Sequence, residues 1–547
     1  CAVDLAEFMA ENDMSSTIEN KQTVKTHTVA FDLNSNPLAQ QYLADIANVG
    51  RGTFNESENA TDLISVFENI LSNVKNDPTS FVSPALATNA FNRLLSRDEV
   101  YFGLFTPDLA RAWDGNVKKY SICVDKSKGC ELGSIIDKDN NEAIDPSNDK
   151  FKDSSRDLWS SNRVIDGRLT TDGGTGHMIE DFRQQIVYTD KNNSGFAPKN
   201  TLLSSPGFEL KFDNWDNTNL RTMRDGICPT PEDFSGSECE ARMKFLLGKL
   251  DKTLDTDVNN EQRWSVSDVL HSSPVVITYR SFDDNGDGLA DRFFDKVIYG
   301  SNDGSLHMVN GDTGKEEWRY IPSDFWTQQQ QFFTNAEGNH VYGLDVTPTL
   351  QVIDADDDGN ITIAKGDKIR AFMASRRGGS GIYALDLTHD IPISNETFAP
   401  RFLWRIQGGS GDFPRLGQTW SKPVIAEVEI DTGTLIENKE VLIFGGGYDP
   451  SLDNPNTYSV GDHGGTPFMG NAIYIVDPEN GDLLLAISGS PGGADIFVPD
   501  MQYPIPSAVT AFDTDTDGAV DRIYVGDTGG QVWRVDLAPI KIVSILL

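Results

Sequence analysis

Four prolines constrain the second half of this chain more than any other feature. Pro274, Pro348, Pro423 and Pro506 each stand in or at the head of an apolar run, in SSPVVI, VTPTLQV, SKPVIAEV and PIPSAVTAF, about 75 residues apart. After each comes a polar or acidic loop, then a second apolar run (KVIYG, KIRAFMAS, EVLIFGG, DRIYVG). A glycine-bearing turn leads to a third run (SLHMVNG, SGIYALDL, NAIYIVD, GQVWRVDL), and KEEWRYI, RFLWRI and DLLLAI add a fourth in the first three repeats. Proline at a strand's start removes an N–H where the ladder loses least, and the glycines fall where hairpins need positive φ. Second and third runs so poor in charge imply burial on both faces. The expected fold class is therefore mainly β: a β-propeller-like C-terminal domain of four-stranded blades over 265–547, with at least four blades and a ring that need not close within this chain.

Three of the four repeats crowd carboxylates into the turn between their first two strands. In the fourth, DTDTDGAVD puts Asp513, Asp515, Asp517 and Asp521 at positions 1, 3, 5 and 9 of a nine-residue loop, with Gly518 at position 6. The first repeat, DDNGDGLAD, places Asp283, Asn285, Asp287 and Asp291 in the same way. The second, DADDDGNIT, offers Asp354, Asp356 and Asp358 followed by Gly359, with Thr362 at position 9, and the third (EIDTGTLIENKE) has lost the pattern. Like charges a few ångströms apart repel, so such a loop is costly unless a cation sits among them. Calcium takes six to eight hard oxygens in flexible geometry, and alternate residues of a tight loop point inward. The expected ligands are the side chains at 1, 3, 5 and 9 and the position-7 carbonyls of Ala519 and Leu289, with Ca2+ as the cofactor. Magnesium resists the full dehydration this would need, and the Glu at position 12 and flanking helices of an EF-hand are missing. The other reading, aspartates that merely build polar hairpin turns, stays open at each loop. A further array, Asp137 to Asp145 in DKDNNEAID, has Glu142 at position 6 and reads first as a solvated acidic loop.

Charge limits what the surface can meet. Against 46 basic residues stand 83 acidic ones, a formal −37 that repels phosphate backbones and anionic lipid, so no nucleic-acid partner is expected. No apolar run of about 18 residues offers a membrane span. The N-terminus lacks the regions of a signal peptide, which fits a chain that begins after one. Cys123 with Cys130, and Cys228 with Cys239, suggest two disulfides formed in an oxidising compartment, with free thiols as the alternative. His271, His307, His340 and His463 are scattered without a paired nucleophile, and the glycine runs at 378–381 and 445–447 precede strands rather than helices. No catalytic residue is expected.

Residues 1–76 alternate helix and strand, through CAVDLAEFMAEND, VKTHTVAFDL, PLAQQYLADIANVG and ATDLISVFENILSNV. THTVAFDL and GRGTFNESENATDLISVFENI resemble the last third of a von Willebrand factor A domain; its DxSxS metal loop is missing, so no ligand is carried over. Residues 77–264 read as a β-rich, loop-laden connector, with DEVYFGLF and GNVKKYSICV as strands and a helix near CEARMKFLLGKL. NDGSLHMVNGDTGKEEW resembles the repeat of quinoprotein dehydrogenase propellers, which implies a rival reading as a periplasmic oxidoreductase.

The ordered set HSSPVV, VIYGSNDGSLHMVNGDTG, GSGIYALDLT, WSKPVIAE and DTDTDGAVDRIYVGDTGGQVWRVDL resembles the PilY1 (PilC) family of type IV pilus tip and biogenesis proteins. That resemblance implies a non-enzymatic, calcium-binding surface protein, secreted to the pilus tip or outer membrane, that promotes pilus assembly, opposes retraction and mediates adhesion. It implies minor pilins and a host or abiotic surface as partners, and calcium held by Asp513, Asp515, Asp517 and Asp521. The RGD integrin motif of some relatives is absent, since Lys365, Gly366 and Asp367 give only KGD. The missing first strand of the A-like segment and the trailing last repeat lead to the expectation of a piece of a longer chain.

Overall fold

The computed structural model describes residues 2–12, 23–31, 36–57, 81–88, 96–146, 150–160, 166–179, 181–228, 237–249, 263–286, 290, 292–390, 398–454, 467–537 and 539–541. It divides into two compact units: Cys1–Thr79 with Asp145–Lys150, and Ser80–Ile144 with Phe151–Leu547.

In the first unit, strands Thr26–Phe31 and Arg51–Ser57 pair in parallel, with helix Pro37–Val49 between them in sequence. Asn36 caps that helix through its side chain, which accepts from Ala39 N, and Pro37 occupies the first turn, where a missing N–H costs nothing. The expected helix ATDLISVFENILSNV lies outside the described residues.

In the second unit the four repeats form four antiparallel sheets, each a meander in sequence order. The first comprises Val275–Phe282, Arg292–Gly300, Leu306–Asn310 and Glu316–Tyr320. The second comprises Thr349–Ile353, Lys368–Ala374, Gly381–Asp386 and Arg401–Gln407. The third comprises Val424–Asp431, Ile436–Gly445, Ala472–Val476 and Leu483–Ser488; the fourth has three strands, Thr510–Phe512, Arg522–Gly526 and Val532–Asp536. Strands from upstream complete two of them. Val187–Tyr188 and Glu209–Leu210 extend the first sheet beyond Glu316–Tyr320, and Thr201–Leu202 pairs with Arg401–Gln407 of the second.

Period-two alternation explains how the sheets stack. Ile369, Ala371 and Met373 face a core shared with Ile277, Ile298 and Met308 of the first sheet. Their neighbours Phe372 and Ala374 face a different core, shared with Leu442 and Phe444 of the third. Val441 and Ile443 turn the other way again, onto Ile523 and Val525 of the fourth. A strand buried on both faces in this way carries an unbroken apolar run, which is why these strands were legible. Between sheets, the turns joining third to fourth strands bring a glycine against a neighbouring indole. A Cβ at Gly314 (φ 72°) would lie 2.6 Å from Trp159, and one at Gly481 (φ 75°) 2.8 Å from Trp404, so both backbone conformation and space require glycine there.

Both cysteine pairs are bonded, Cys123–Cys130 and Cys228–Cys239, the second within the core of the first two sheets. Among the described residues no helix is long and apolar enough to cross a membrane.

Candidate metal centre

Because successive strands reverse direction, the hairpins joining first to second strands leave every sheet at one end, and the turns joining second to third leave at the other. The three acidic arrays of the repeats all belong to the first set.

In the fourth sheet, Phe512 and Arg522 are ladder partners that close the loop. Asp513 reaches back across it: Oδ1 accepts from Thr516 N at 2.6 Å and Oδ2 from Gly518 N at 2.9 Å. Those two bonds hold the loop coiled, with Thr516 at φ 65° and Gly518 at φ 98°. Asp521 Oδ2 accepts from Thr514 Oγ1 at 2.6 Å and Thr514 N at 2.7 Å, and these bonds hold its carboxyl below the usual carboxylate range. The chain beyond Gly518 is anchored. Ala519 is buried, Val520 N donates to Glu427 O in the third sheet, and Leu537 N donates to Asp521 O.

The outcome is a cluster in which Asp513, Asp515 and Asp521 each present an oxygen within 4.8 Å of the others. Asp517 stands outside that set, one of its oxygens accepting from Ala519 N at 2.8 Å. Among the described residues no basic side chain pairs with any of these four aspartates. The nearest arginines in sequence, Arg522 and Arg534, both pair with Asp536, at 3.0 and 2.7 Å. Hard oxygens of like charge held together by the backbone, without a basic side chain among them, fit a divalent cation that prefers oxygen ligands.

The second sheet's hairpin gathers Asp354, Asp356 and Asp358 in the same fashion, with Asp354 Oδ2 accepting from Gly359 N at 2.7 Å. Here the protein supplies its own cation. Lys365 Nζ bonds Asp356 Oδ2 at 2.6 Å and also Asp358, which draws the Asp358 carboxyl below its ordinary range and pushes the lysine above its own. Thr362, the residue at position 9, gives its N–H to Asp367 Oδ2 at 2.7 Å, while Ala355 N donates to Asp367 Oδ1 at 2.9 Å. The KGD triplet is thereby used internally, and Asp367 is only 2% exposed.

In the first sheet's hairpin, Asp283 Oδ1 accepts from Gly286 N at 2.6 Å and Arg292 forms a two-pronged pair with Asp284. Asn285 lies in the described part of that loop; Asp287, Leu289 and Asp291 lie outside the described residues. The third sheet's hairpin is a plain turn, Thr432 N donating to Leu435 O and Asp431 Oδ1 accepting from Gly433 N. At Asp137 the carboxylate is buried and shapes a turn by accepting from Asp139 N and Asn141 N, while Asp139 pairs with Arg156.

One arrangement escaped the sequence reading. Ser301 Oγ lies 2.8 Å from His307 Nε2, and Glu316 Oε2 lies 2.5 Å from His307 Nδ1. These are the contacts of a hydrolytic relay, but all three side chains are 1% exposed or less and Ser301 Oγ also bonds Asp303. No substrate reaches them, so the group serves as a buried polar network joining the turn at Ser301 to the third and fourth strands. Ser301 and His307 are six residues apart, but Glu316 comes from the next strand, a pairing visible only once the register is known.

A sheet-stacked β-propeller domain with acidic first hairpins is the class these features define. Residues 278–544 match the family model described as the PilY1 β-propeller domain. The type IV pilus biogenesis factor PilY1 of Pseudomonas aeruginosa (strain UCBPP-PA14) is 23% identical over 546 residues, a match covering 95% of this chain and 38% of that protein. A PilY1 homologue of Xylella fastidiosa is 28% identical over 247 residues, covering 44% of this chain and 14% of that protein. The solved C-terminal domain of P. aeruginosa PilY1 aligns over 44% of this chain and 39% of its own length, at 25% identity and a TM-score of 0.28. The chain thus spans well under half the length of the relatives it matches.

Proposed function

We propose that this chain is the calcium-binding part of a pilus-associated surface protein that promotes type IV pilus assembly, opposes retraction and mediates adhesion. The relatives' description as type IV pilus biogenesis factors supports the pilus association. Minor pilins are the expected partners within the pilus, a host or abiotic surface the partner outside it, and the exported cell surface the location.

The observation that carries the calcium reading is the carboxylate trio of the fourth sheet, assembled by backbone bonds without a protein cation. Asp513, Asp515 and Asp521 would hold the ion, with the free side of Asp517 and the Ala519 carbonyl completing the set. Calcium would supply neutralisation of the cluster, and the chain's own contribution is to couple the loop to the sheets. Val520 N bonded to Glu427 O and Leu537 N bonded to Asp521 O tie its position to the third sheet and to the last strand of the fourth. The equivalent aspartates of the second hairpin could take a cation only by displacing Lys365, and the ligands assigned to the first hairpin remain a further site of the same proposal.

The test is metal content by mass spectrometry of the purified chain, alongside a thermal scan with calcium and with chelator. Bound calcium and a chelator-sensitive melting temperature are expected. Superimposable scans and no bound metal would overturn the calcium reading.

A further inference from the structure

At the end of the first sheet opposite the acidic hairpins, around the turn between its second and third strands, lies a cavity of about 190 Å3. Trp113, Phe245 and Phe332 supply apolar wall, and Ser265, Asp303 and Gln329 supply polar wall. Each of these three polar side chains is more than nine-tenths buried, and each keeps an acceptor atom without a partner. Asp303, 7% exposed, spends Oδ1 on Ser301 Oγ (2.6 Å) and Ser305 N (2.9 Å) and leaves Oδ2 unmatched. Ser265, 2% exposed, has no partner for its Oγ. Gln329, 7% exposed, donates through Nε2 to Asp303 O (2.7 Å) and Phe325 O (3.3 Å); two carbonyl acceptors fix the orientation of the amide and leave Oε1 unmatched.

Charge points the same way as hydrogen bonding. The wall also carries Asp114 and Arg263, the latter stacked over Phe245 at 4.1 Å and donating to Phe245 O and Trp264 O, both at 3.0 Å. Behind Asp303, Glu316 is paired with Arg319 at 3.0 Å and bonded to His307. Among the described residues of the wall, two carboxylates stand against one guanidinium, one negative charge in excess. Unmatched acceptors in a cavity of net negative charge are best answered by donors that carry a positive charge.

We propose that this cavity binds a compact primary ammonium ion, the head of a free alkylamine or of a partner's lysine side chain. An ammonium brings three donors, no acceptor and one charge, which matches three unmatched acceptors and one excess negative charge. A quaternary ammonium has no N–H to give, and an anion meets Asp303.

The experiment is titration calorimetry and thermal scanning of the full chain with n-butylammonium chloride, against tetramethylammonium chloride and sodium chloride at equal ionic strength. Saturable binding and a melting-temperature rise with n-butylammonium alone are expected. Asp303→Asn should weaken that binding by roughly tenfold or more, the loss of a hydrogen bond to a charged partner. Ser265→Ala, which removes only an unpaired hydroxyl, should keep the fold and weaken binding by about two- to fivefold, so the test survives if Asp303→Asn fails to fold. A lysine-containing hexapeptide and its Nε-acetyl form separate the sources: binding of the first and not the second assigns a partner's side chain, and binding of the free amine alone assigns a small molecule. Absence of saturable binding by either amine, equal binding of tetramethylammonium, or wild-type affinity in both variants would overturn the proposal.

Discussion

The hairpins of the second and fourth sheets begin from the same spacing of aspartates and meet the same repulsion in two ways. In the second, Lys365 bridges Asp356 and Asp358, and Asp367 takes the N–H groups that a closing ligand would otherwise organise. In the fourth, backbone N–H groups gather Asp513 and Asp521, and Thr514 reinforces Asp521, while no basic side chain pairs with the cluster among the described residues. The same spacing of aspartates therefore leads to two different local charge balances, and the difference lies in the residue that follows the array. At the twelfth position counted from the first aspartate, the second hairpin has Lys365 and the fourth has Tyr524.

The contrast can be broken most directly by calcium. At about 10 mM, an extracellular-type site with a dissociation constant of order 10⁻⁴ to 10⁻³ M should raise the melting temperature by about 2 to 5 °C, and Asp513→Ala or Asp521→Ala should abolish the rise. A rise that persists in both variants would place the site elsewhere. Asp517→Ala should remove only part of it, because that carboxylate stands outside the trio; calorimetric titration of the variant measures the remaining affinity. Lys365→Met should sharpen the comparison by making the second hairpin resemble the fourth. Its melting temperature should fall slightly in chelator and recover on adding calcium, and a variant indifferent to calcium would show that Lys365 does not compete with a cation for that loop.

The smallest effect is acid. The folded-state pKa of Asp521 is depressed by the hydroxyl and N–H of Thr514, so its contribution is fully present above the unfolded value of about 3.9 and is lost as pH falls through the lower folded value. Melting scans from pH 6 to 3 should show Thr514→Val losing less than the wild type below about pH 4, since the variant retains only the backbone donor. Parallel curves would detach Thr514 from the carboxylate.

Much of this architecture was legible because burial on both faces leaves long apolar strands between prolines and glycines, and residues 275–320 and 349–407 show it plainly. The aspartates of the fourth hairpin stood out by their spacing, and three of the four bring oxygens within 4.8 Å of one another. What stayed hidden depends on register or on distant partners. Two-residue strands such as Val187–Tyr188 are too short to display a period, so nothing local ties residues 187–210 to the sheets they join. Likewise the Ser301–His307–Glu316 network and the unmatched acceptors of the opposite cavity arise from side chains that only folding brings together.

Those short upstream strands have a practical consequence. Thr201 pairs with Phe402 across a span on the order of 200 residues, and Val187–Tyr188 lies along Arg319–Tyr320. A truncation starting at residue 265 would keep every repeat and still strip the outermost ladders of two sheets, baring rows of unpaired N–H and C=O groups that invite association with other chains. The smallest well-behaved fragment should therefore begin upstream of residue 187, well before the repeats that make the domain recognisable.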